Sequence, residues 1–403
     1  MKEKRFVKRI SLGYYMDEKN NRQQRRVTLT AYATCRRNAE RIFAEKEIEL
    51  RKAILNQKVG PTTLDKLIER YYEDHNLKTG TISRDKYYDT QILNWFGKKK
   101  LNKITTEDIL SFFKEIQEEK NWSDGTTFNC RKTMKRYFKY AYRRRWIKID
   151  PFYEMERIGK GLTPNYRSKK GEEATENTNK VIKSIINAPI SRSISLKTKL
   201  QVMLTLDGCL RPTELYALST EDVNIEKKYI YINKDLTVLT SKMAKELGKE
   251  RMEISETKTR GSERKLPISE LTVQYLKQYL QESKEYLKKR KVNNPNNYLF
   301  YQKTNLKEGD MVKPESMSGL KSVLRKVAVE LGLKKNVTPY DLRKFGRTIR
   351  SNIPDYNRAA ALYVIGHVEN VVDDGYISSN FPLAEIMHPI WEKKLMELLK
   401  IAD

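Results

Sequence analysis

The apolar period of this chain changes along its length, and that change limits the folds open to it. Between residues 4 and 33, RFVKRISLGYYM and RRVTLTAYAT alternate apolar and polar residues around the turn-rich DEKNNRQQ, which predicts short strands. From about Arg37 to Gln57, Ile42, Phe43, Ile48 and Ile54 recur at helical spacing. VGPTT (59–63) interrupts that helix, and residues 63–158 then read as helix throughout. The segment 159–180, rich in Gly, Ser, Thr, Asn and charge, has no apolar period and reads as a linker. From Val181 onward helical pieces mix with strand-like runs such as KKYIYINK, RMEISETKT and ERKLPIS, the last two joined by the turn-like RGSE. The expectation is a multidomain, mainly α chain with small β elements. Its boundaries fall at 1–60, 62–160, a linker at 161–180, and 181–403.

Charge narrows the function classes. The 403 residues carry 80 Lys and Arg against 52 Asp and Glu, a net charge of +28, densest in the first sixty residues. Such a field favours a polyanion as partner. Apolar residues make up 38% of the chain, too many for disorder and enough for two or three cores. No run approaches the ~18 apolar residues of a membrane span, and MKEKRFVKRIS lacks the apolar stretch of a secretory signal. Cys35, Cys130 and Cys209 lie far apart, which argues against a disulfide scaffold and for a reducing cytoplasm. His75, His367 and His388 show no zinc-like spacing with them, so neither a metal nor another cofactor is expected.

One helix of the second segment carries a concentrated positive charge. In GTTFNCRKTMKRYFKYAYRRRW the apolar positions Cys130, Met134, Phe138 and Ala141 recur at helical spacing. From Arg131 to Arg145 the segment carries eight cations: Arg131, Lys132, Lys135, Arg136, Lys139, Arg143, Arg144 and Arg145. One stripe is expected to face a core and the other a phosphate backbone, since cations with no acid among them repel each other. The plainer alternative is a solvated helix face.

The C-terminal half holds four sites that gain meaning together. GCLRPTEL places Arg211 and Glu214 three apart at a helix start. SETKTRGSERKLPI is expected to form a hairpin with Lys258 at its tip, with Lys242, Lys249 and Lys265 in the same region. In VTPYDLRKFGRT, Thr338 caps, Pro339 opens the helix and Asp341 lies in its first turn, which sets Tyr340 and Arg343 on one face. In VIGHVENVVDDGYIS, His367 stands nine residues before Tyr376. Taken singly, each is more often an ion pair or a packing residue.

The order Arg211, Lys258, Tyr340-x-x-Arg343, Gly366-His367 and Tyr376 resembles the tyrosine recombinases, or integrases, over about 175–385. The layout is similar to integrases of Gram-positive temperate phages and integrative conjugative elements. The resemblance implies an N-terminal three-stranded sheet plus helix that binds arm DNA, a helical SAM-like core-binding domain, and an α+β catalytic domain. It implies site-specific recombination of duplex DNA through a 3′-phosphotyrosine and a Holliday junction. It further implies a homotetramer on attachment sites, with accessory excision or DNA-bending proteins as partners. A type IB-like topoisomerase, or a catalytically silent DNA-binding regulator on the same fold, are the alternatives.

The chemistry is coherent on its own terms. Rejoining DNA without an energy source needs a covalent intermediate. A phenol with an ordinary pKa near 10 attacks as phenolate only beside positive charge. Arg211 and Arg343 supply that charge and hold non-bridging oxygens in forked hydrogen bonds. The resemblance gives Lys258 the role of general acid toward the leaving 5′ oxygen, His367 a phosphate contact, and Glu214 an orienting role. Tyr340 departs from the family's usual histidine and cannot carry an imidazolium's charge. The C-terminal helix, with Leu383, Ile386, Ile390, Leu395 and Leu398, is a candidate for docking on a neighbouring protomer, the alternative being docking in cis.

Overall fold

The computed structural model describes residues 4–16, 22–56, 61–97, 99–157, 171–257, 262–366 and 381–400. The chain divides into two compact units, Met1–Asn165 and Tyr166–Asp403.

The first unit contains two separate cores. Strands β1 (Lys4–Met16) and β2 (Arg22–Ala33) pair antiparallel, with Phe6 opposite Ala31 and Ile10 opposite Val27. Strand alternation puts Ile10, Leu29, Ala31 and Ala33 on one face. Helix α1 (Arg36–Asn56) covers that face with Ala39 and Phe43. The described sheet has two strands, not the three expected from the resemblance. The physical reason lies in the sequence: 4–33 offers two long alternating runs with one interruption, and the next segment already has helical period.

The second core joins α2 (Leu64–Asp74), α3 (Thr79–Phe96), α4 (Thr106–Glu119), α5 (Asp124–Arg143) and α6 (Pro151–Arg157). Thr105 and Asp108 form a reciprocal capping box at the start of α4, and Ser123 caps α5. The expected stripe of α5 is inside: Cys130, Met134, Phe138 and Ala141 are fully buried with Phe112 and Phe152. Each such large apolar side chain contributes about 1.5–3 kcal/mol on burial.

Two acids lie in this core. Asp85 accepts hydrogen bonds from Arg136 Nη2 at 2.5 Å and Thr133 Oγ1 at 3.2 Å. Asp89 accepts from Tyr72 Oη at 2.6 Å and Tyr137 Oη at 2.8 Å.

The second unit is built around α8 (Leu196–Gly208), of which nearly every residue is buried. Before it comes α7 (Gly171–Asn187), and after it α9 (Pro212–Leu215). Residues 171–180, expected as linker, are thus the first half of a helix. Their polar side chains hid a period that runs from Thr178 through Val181, Ile182 and Ile185 into the core. Strands β3 (Val223–Asn224) and β4 (Tyr229–Ile232) precede β5 (Lys234–Val238), α10 (Ser241–Leu247), β6 (Met252–Glu256) and β7 (Arg264–Pro267).

The sheets correct the expected hairpin between RMEISETKT and ERKLPIS. β6 pairs with β5, Ile254 opposite Leu236, while β7 pairs with β4, Leu266 opposite Ile230. Residues 235–250 therefore supply β6 with its own partner strand and the short helix α10.

Helices α11 (Glu270–Arg290), α12 (Ser318–Glu330), α13 (Pro339–Asn352), α14 (Arg358–Val364) and α15 (Phe381–Leu399) complete the unit. α15 packs in cis: Trp391, Leu395 and Leu399 are buried in the same core as α8, and Leu398 packs against it. Of the residues expected to fill a neighbour's groove, Ile386 and Ile390 face outward, Leu383 is half-buried, and Leu395 and Leu398 are engaged at home.

Burial, opposed by the two tyrosine hydrogen bonds, pushes Asp89 up from 3.8 to about 6. A carboxyl raised in the folded state contributes stability that is complete below its unfolded pKa and lost as pH rises through the folded one. Asp89→Asn removes that loss. Between pH 4 and pH 7.5, urea unfolding should show the variant gaining about 2–3 kcal/mol relative to wild type. A pH-independent difference would contradict the assignment.

Candidate active site

The site begins where α8 stops. Cys209 adopts a left-handed backbone, φ 45°, and its amide donates to Thr205 O, ending the helix. Two residues later Arg211 opens α9 ahead of Pro212. The Arg211 backbone amide donates to Glu214 Oε2 at 2.8 Å, and its guanidinium donates to Glu214 Oε1 at 2.5 Å. The expected i, i+3 pair is formed.

Glu214 is buried and is the centre of a larger cluster. Arg264, whose side chain is fully buried, donates to both carboxylate oxygens, at 3.3 and 3.1 Å. Arg343 Nη1 lies 3.6 Å from Glu214 Oε2. One carboxylate therefore faces three guanidiniums. Burial alone would raise the Glu214 carboxyl, but Arg264 and then Arg211 hold it below the usual carboxylate range. Burial and then the Arg211 charge push Arg343 down to about 10, still a full cation near neutrality.

The arginines also fix backbone. Arg343 donates to Cys209 O and, at 2.6 Å, to Ile365 O. Arg264 Nε donates to Val364 O at 3.0 Å and its Nη1 to Ser262 O at 2.8 Å. The end of α14 is thus gripped just before Gly366. The close approach of α13 to α8 is set by Gly346. A Cβ there would meet Cys209 Sγ at 3.0 Å and the Leu206 carbonyl oxygen at 3.2 Å. Thr338 and Asp341 form the expected capping box, the Thr338 amide donating to Asp341 at 2.8 Å.

Of the expected residues, Arg211, Glu214 and Arg343 are brought together. Tyr340 is 52% exposed in the first turn of α13, and no described contact joins it to the cluster. Lys258, His367 and Tyr376 lie outside the described residues. The neighbouring lysines are otherwise placed: Lys265 Nζ lies 5.1 Å over the Tyr229 ring, and Lys249 and Lys242 pair with Glu253 and Glu246.

Arg264 was missed by sequence reasoning. Its signal was a charge on the inward phase of ERKLPI, in step with the apolar Leu266. A cation on an otherwise buried strand face requires an acid partner.

The cations of α5 divide into two sets. Arg131 is buried, 7% exposed. Arg136 is paired with Asp85, and Arg144 with Asp74 at 2.9 Å while lying over the Tyr140 ring. The acids missing from α5 itself come from α2 and α3, which corrects the expectation of eight unneutralised cations. Lys132, Lys139, Arg143 and Arg145 are exposed. Lys135, Lys139, Arg143 and Lys148 line a hollow of about 500 Å³ together with the exposed Tyr142 and Tyr153.

Comparisons with known proteins bear on the family and the fold. A family model described as "Phage integrase family" matches residues 177–363, and one described as "Phage integrase, N-terminal SAM-like domain" matches 64–148. The tyrosine recombinase XerD of Proteus mirabilis is 21% identical over 229 residues, which cover 56% of this chain and 62% of that relative. The matched stretch is thus less than two thirds of the relative's length. The Tn1549 transposon integrase bound to transposon right end DNA superposes with a TM-score of 0.58 at 20% identity, covering 76% of this chain and 92% of that one. A lambda integrase tetramer bound to a Holliday junction superposes with a TM-score of 0.51 at 14% identity, covering 90% and 94%. At such identities these two likenesses establish the fold alone.

Removing Arg264 as Arg264→Met leaves Glu214 buried with its main partner gone. Urea unfolding should show a loss of about 3–5 kcal/mol. Adding Glu214→Leu removes the stranded charge, so the double variant should be less destabilised than the sum of the singles. Strict additivity would contradict a cluster centred on Glu214.

Proposed function

The chain belongs to the phage integrase family of tyrosine recombinases, and from that premise we propose that it is a site-specific recombinase of duplex DNA. The observation that carries the reading is the buried Glu214 ringed by Arg211, Arg264 and Arg343. Three guanidiniums on one carboxylate leave a positive excess, and Arg211 is the most exposed of them, its side chain 31% accessible. A phosphodiester supplies the anion that such a cluster lacks.

In the proposed reaction the Tyr376 phenol gives its proton to solvent and its Oη attacks the scissile phosphorus as phenolate. A 3′-phosphotyrosyl bond forms as the bond to the 5′ oxygen breaks, and Lys258 delivers the proton to that oxygen. Arg211 and Arg343 take the non-bridging oxygens, whose charge grows in the pentavalent transition state. His367 donates to the same phosphate, and Glu214 orients the arginines. A 5′ hydroxyl from a second strand then reverses the chemistry and frees the tyrosine. Phosphoester bonds broken and made are equal in number, so no energy source is consumed. Tyr340, exposed in the first turn of α13, is proposed as a hydrogen-bond donor to the phosphate, the alternative being packing.

Residues 1–60 are proposed to bind arm-type DNA, 62–160 the core site, and the unit beginning at α7 to carry catalysis. Exposed Lys132, Lys139 and Arg143 on α5, and Arg145 just past its end, suit contacts to the phosphate backbone. Two DNA modules on one chain raise avidity for paired sites. A homotetramer acting through a Holliday junction, at attachment sites of a mobile element in a bacterial cytoplasm, completes the reading. Accessory bending or excision proteins act with it. Among the described residues no helix is long and apolar enough to cross a membrane.

The test is covalent trapping. Nicked duplexes from both flanks of the chain's own gene are incubated with protein in EDTA and run on a denaturing gel. Wild type should form a protein–DNA adduct and Tyr376→Phe none. Arg343→Gln should lower adduct yield per unit time about 100-fold or more. Efficient supercoil relaxation without exchange between two sites would favour a topoisomerase. DNA binding without an adduct in any protein would favour a silent regulator and overturn the catalytic reading.

A further inference from the structure

Away from the arginine cluster, three helices, α11, α13 and α15, converge on the last turn of α8. Asp207 is 1% exposed. Its Oδ1 accepts from Trp391 Nε1 of α15 at 3.0 Å. Its Oδ2 accepts from the Ser269 amide at 2.9 Å, Ser269 Oγ at 2.8 Å and Thr272 Oγ1 at 2.5 Å, at the start of α11.

The backbone of the same turn is held by Arg350 of α13. Its Nη1 donates to Leu206 O at 2.9 Å and its Nη2 to Asp207 O at 2.5 Å. These are helix-end carbonyls that have no partner within α8 itself. The guanidinium is 1% exposed, and its carbon lies 3.5 Å from the centre of the Trp391 ring. Trp391 is itself fully buried. So α13 grips the end of α8 twice, through Arg343 at Cys209 O and through Arg350 one turn earlier in α8. Trp391 closes over the second grip and ties it to Asp207.

This end of α8 leads directly through Cys209 and Leu210 to Arg211. A slip of the last turn would carry Arg211 with it, while Arg343 would stay on α13. We infer that Arg350 and Trp391 are positioning residues that fix Arg211 relative to Arg343, so that the seating of α15 on the α8 end is a condition for assembling the phosphate cradle. The inference rests on the reading of those two arginines as that cradle. Neither residue touches the proposed substrate; both act through the α8 terminus. The indole nitrogen is the informative atom: Phe keeps a ring over Arg350 but removes the bond to Asp207 together with part of the buried ring volume, so Arg350→Lys serves as the independent second variant.

The experiment compares wild type, Trp391→Phe and Arg350→Lys by hydrogen–deuterium exchange of the full chain and by adduct kinetics on nicked DNA. Each variant should exchange faster in the peptide spanning 206–215, with distant helices of the unit unchanged. At saturating DNA the first-order rate constant of adduct formation should fall about tenfold, the scale set by sub-ångström misplacement of a reacting constellation. The DNA dissociation constant should stay within about twofold. A merely structural role would instead lower the amplitude of the reaction in step with the unfolded fraction and leave the rate constant of the remainder unchanged. Unaltered exchange at 206–215, or a wild-type rate constant in Trp391→Phe, overturns the inference. Absence of any adduct in wild type condemns the functional reading instead, and the exchange data still decide whether the clamp holds the α8 end.

Discussion

Glu214 sits inside the second unit with more positive charge around it than it can neutralise. That imbalance organises the rest. A buried carboxylate is tolerated only when paired, and a buried guanidinium only when its donors are met. Arg264 satisfies both demands while joining β7 to the end of α14. Arg343 does the same between α13, the α8 terminus and Ile365. Three elements distant in sequence are therefore held by one charge. The surplus cation is left on the more exposed Arg211, where a phosphate can meet it.

Much of this was legible locally. The Thr338–Pro339–Asp341 start of α13 and the Thr105–Asp108 start of α4 carry their own caps, so short-range hydrogen bonding decides them. The Arg211–Glu214 spacing is a within-helix relation and formed as expected. What escaped depends on partners far away. Arg264 shows its role only when β7 lies against β4 and faces Glu214. The pairing of β6 with β5 is a choice of partner: KDLTVLT has the alternation of a strand, but a strand signal does not name its neighbour. Half of α7 was masked by surface residues on a helix whose other face is core. Arg131 stands between Cys130 and Met134, and its phase on α5 was not resolvable from charge alone.

The α5 helix illustrates why a count of cations overstates a binding face. Some of its cations are spent on the unit's own acids, Asp74 and Asp85, and one is buried. Of those left exposed, Lys139 and Arg143 line a hollow with Tyr142 and Tyr153, so that part of the face is basic and aromatic together. The same interior holds Asp89, which couples stability to pH through burial rather than through an ion pair.

The central claim is that Arg211 and Arg343 exist to neutralise a phosphate oxygen, with Glu214 holding them ready. The most direct measurement replaces the scissile phosphodiester by a methylphosphonate, which lacks the non-bridging charge. On ordinary DNA, Arg211→Ala should fail to form an adduct. On methylphosphonate DNA the account predicts that adduct formation returns, because the charge that Arg211 served is gone. An Arg211→Ala protein equally defective on both substrates would contradict the account and assign Arg211 to the fold instead.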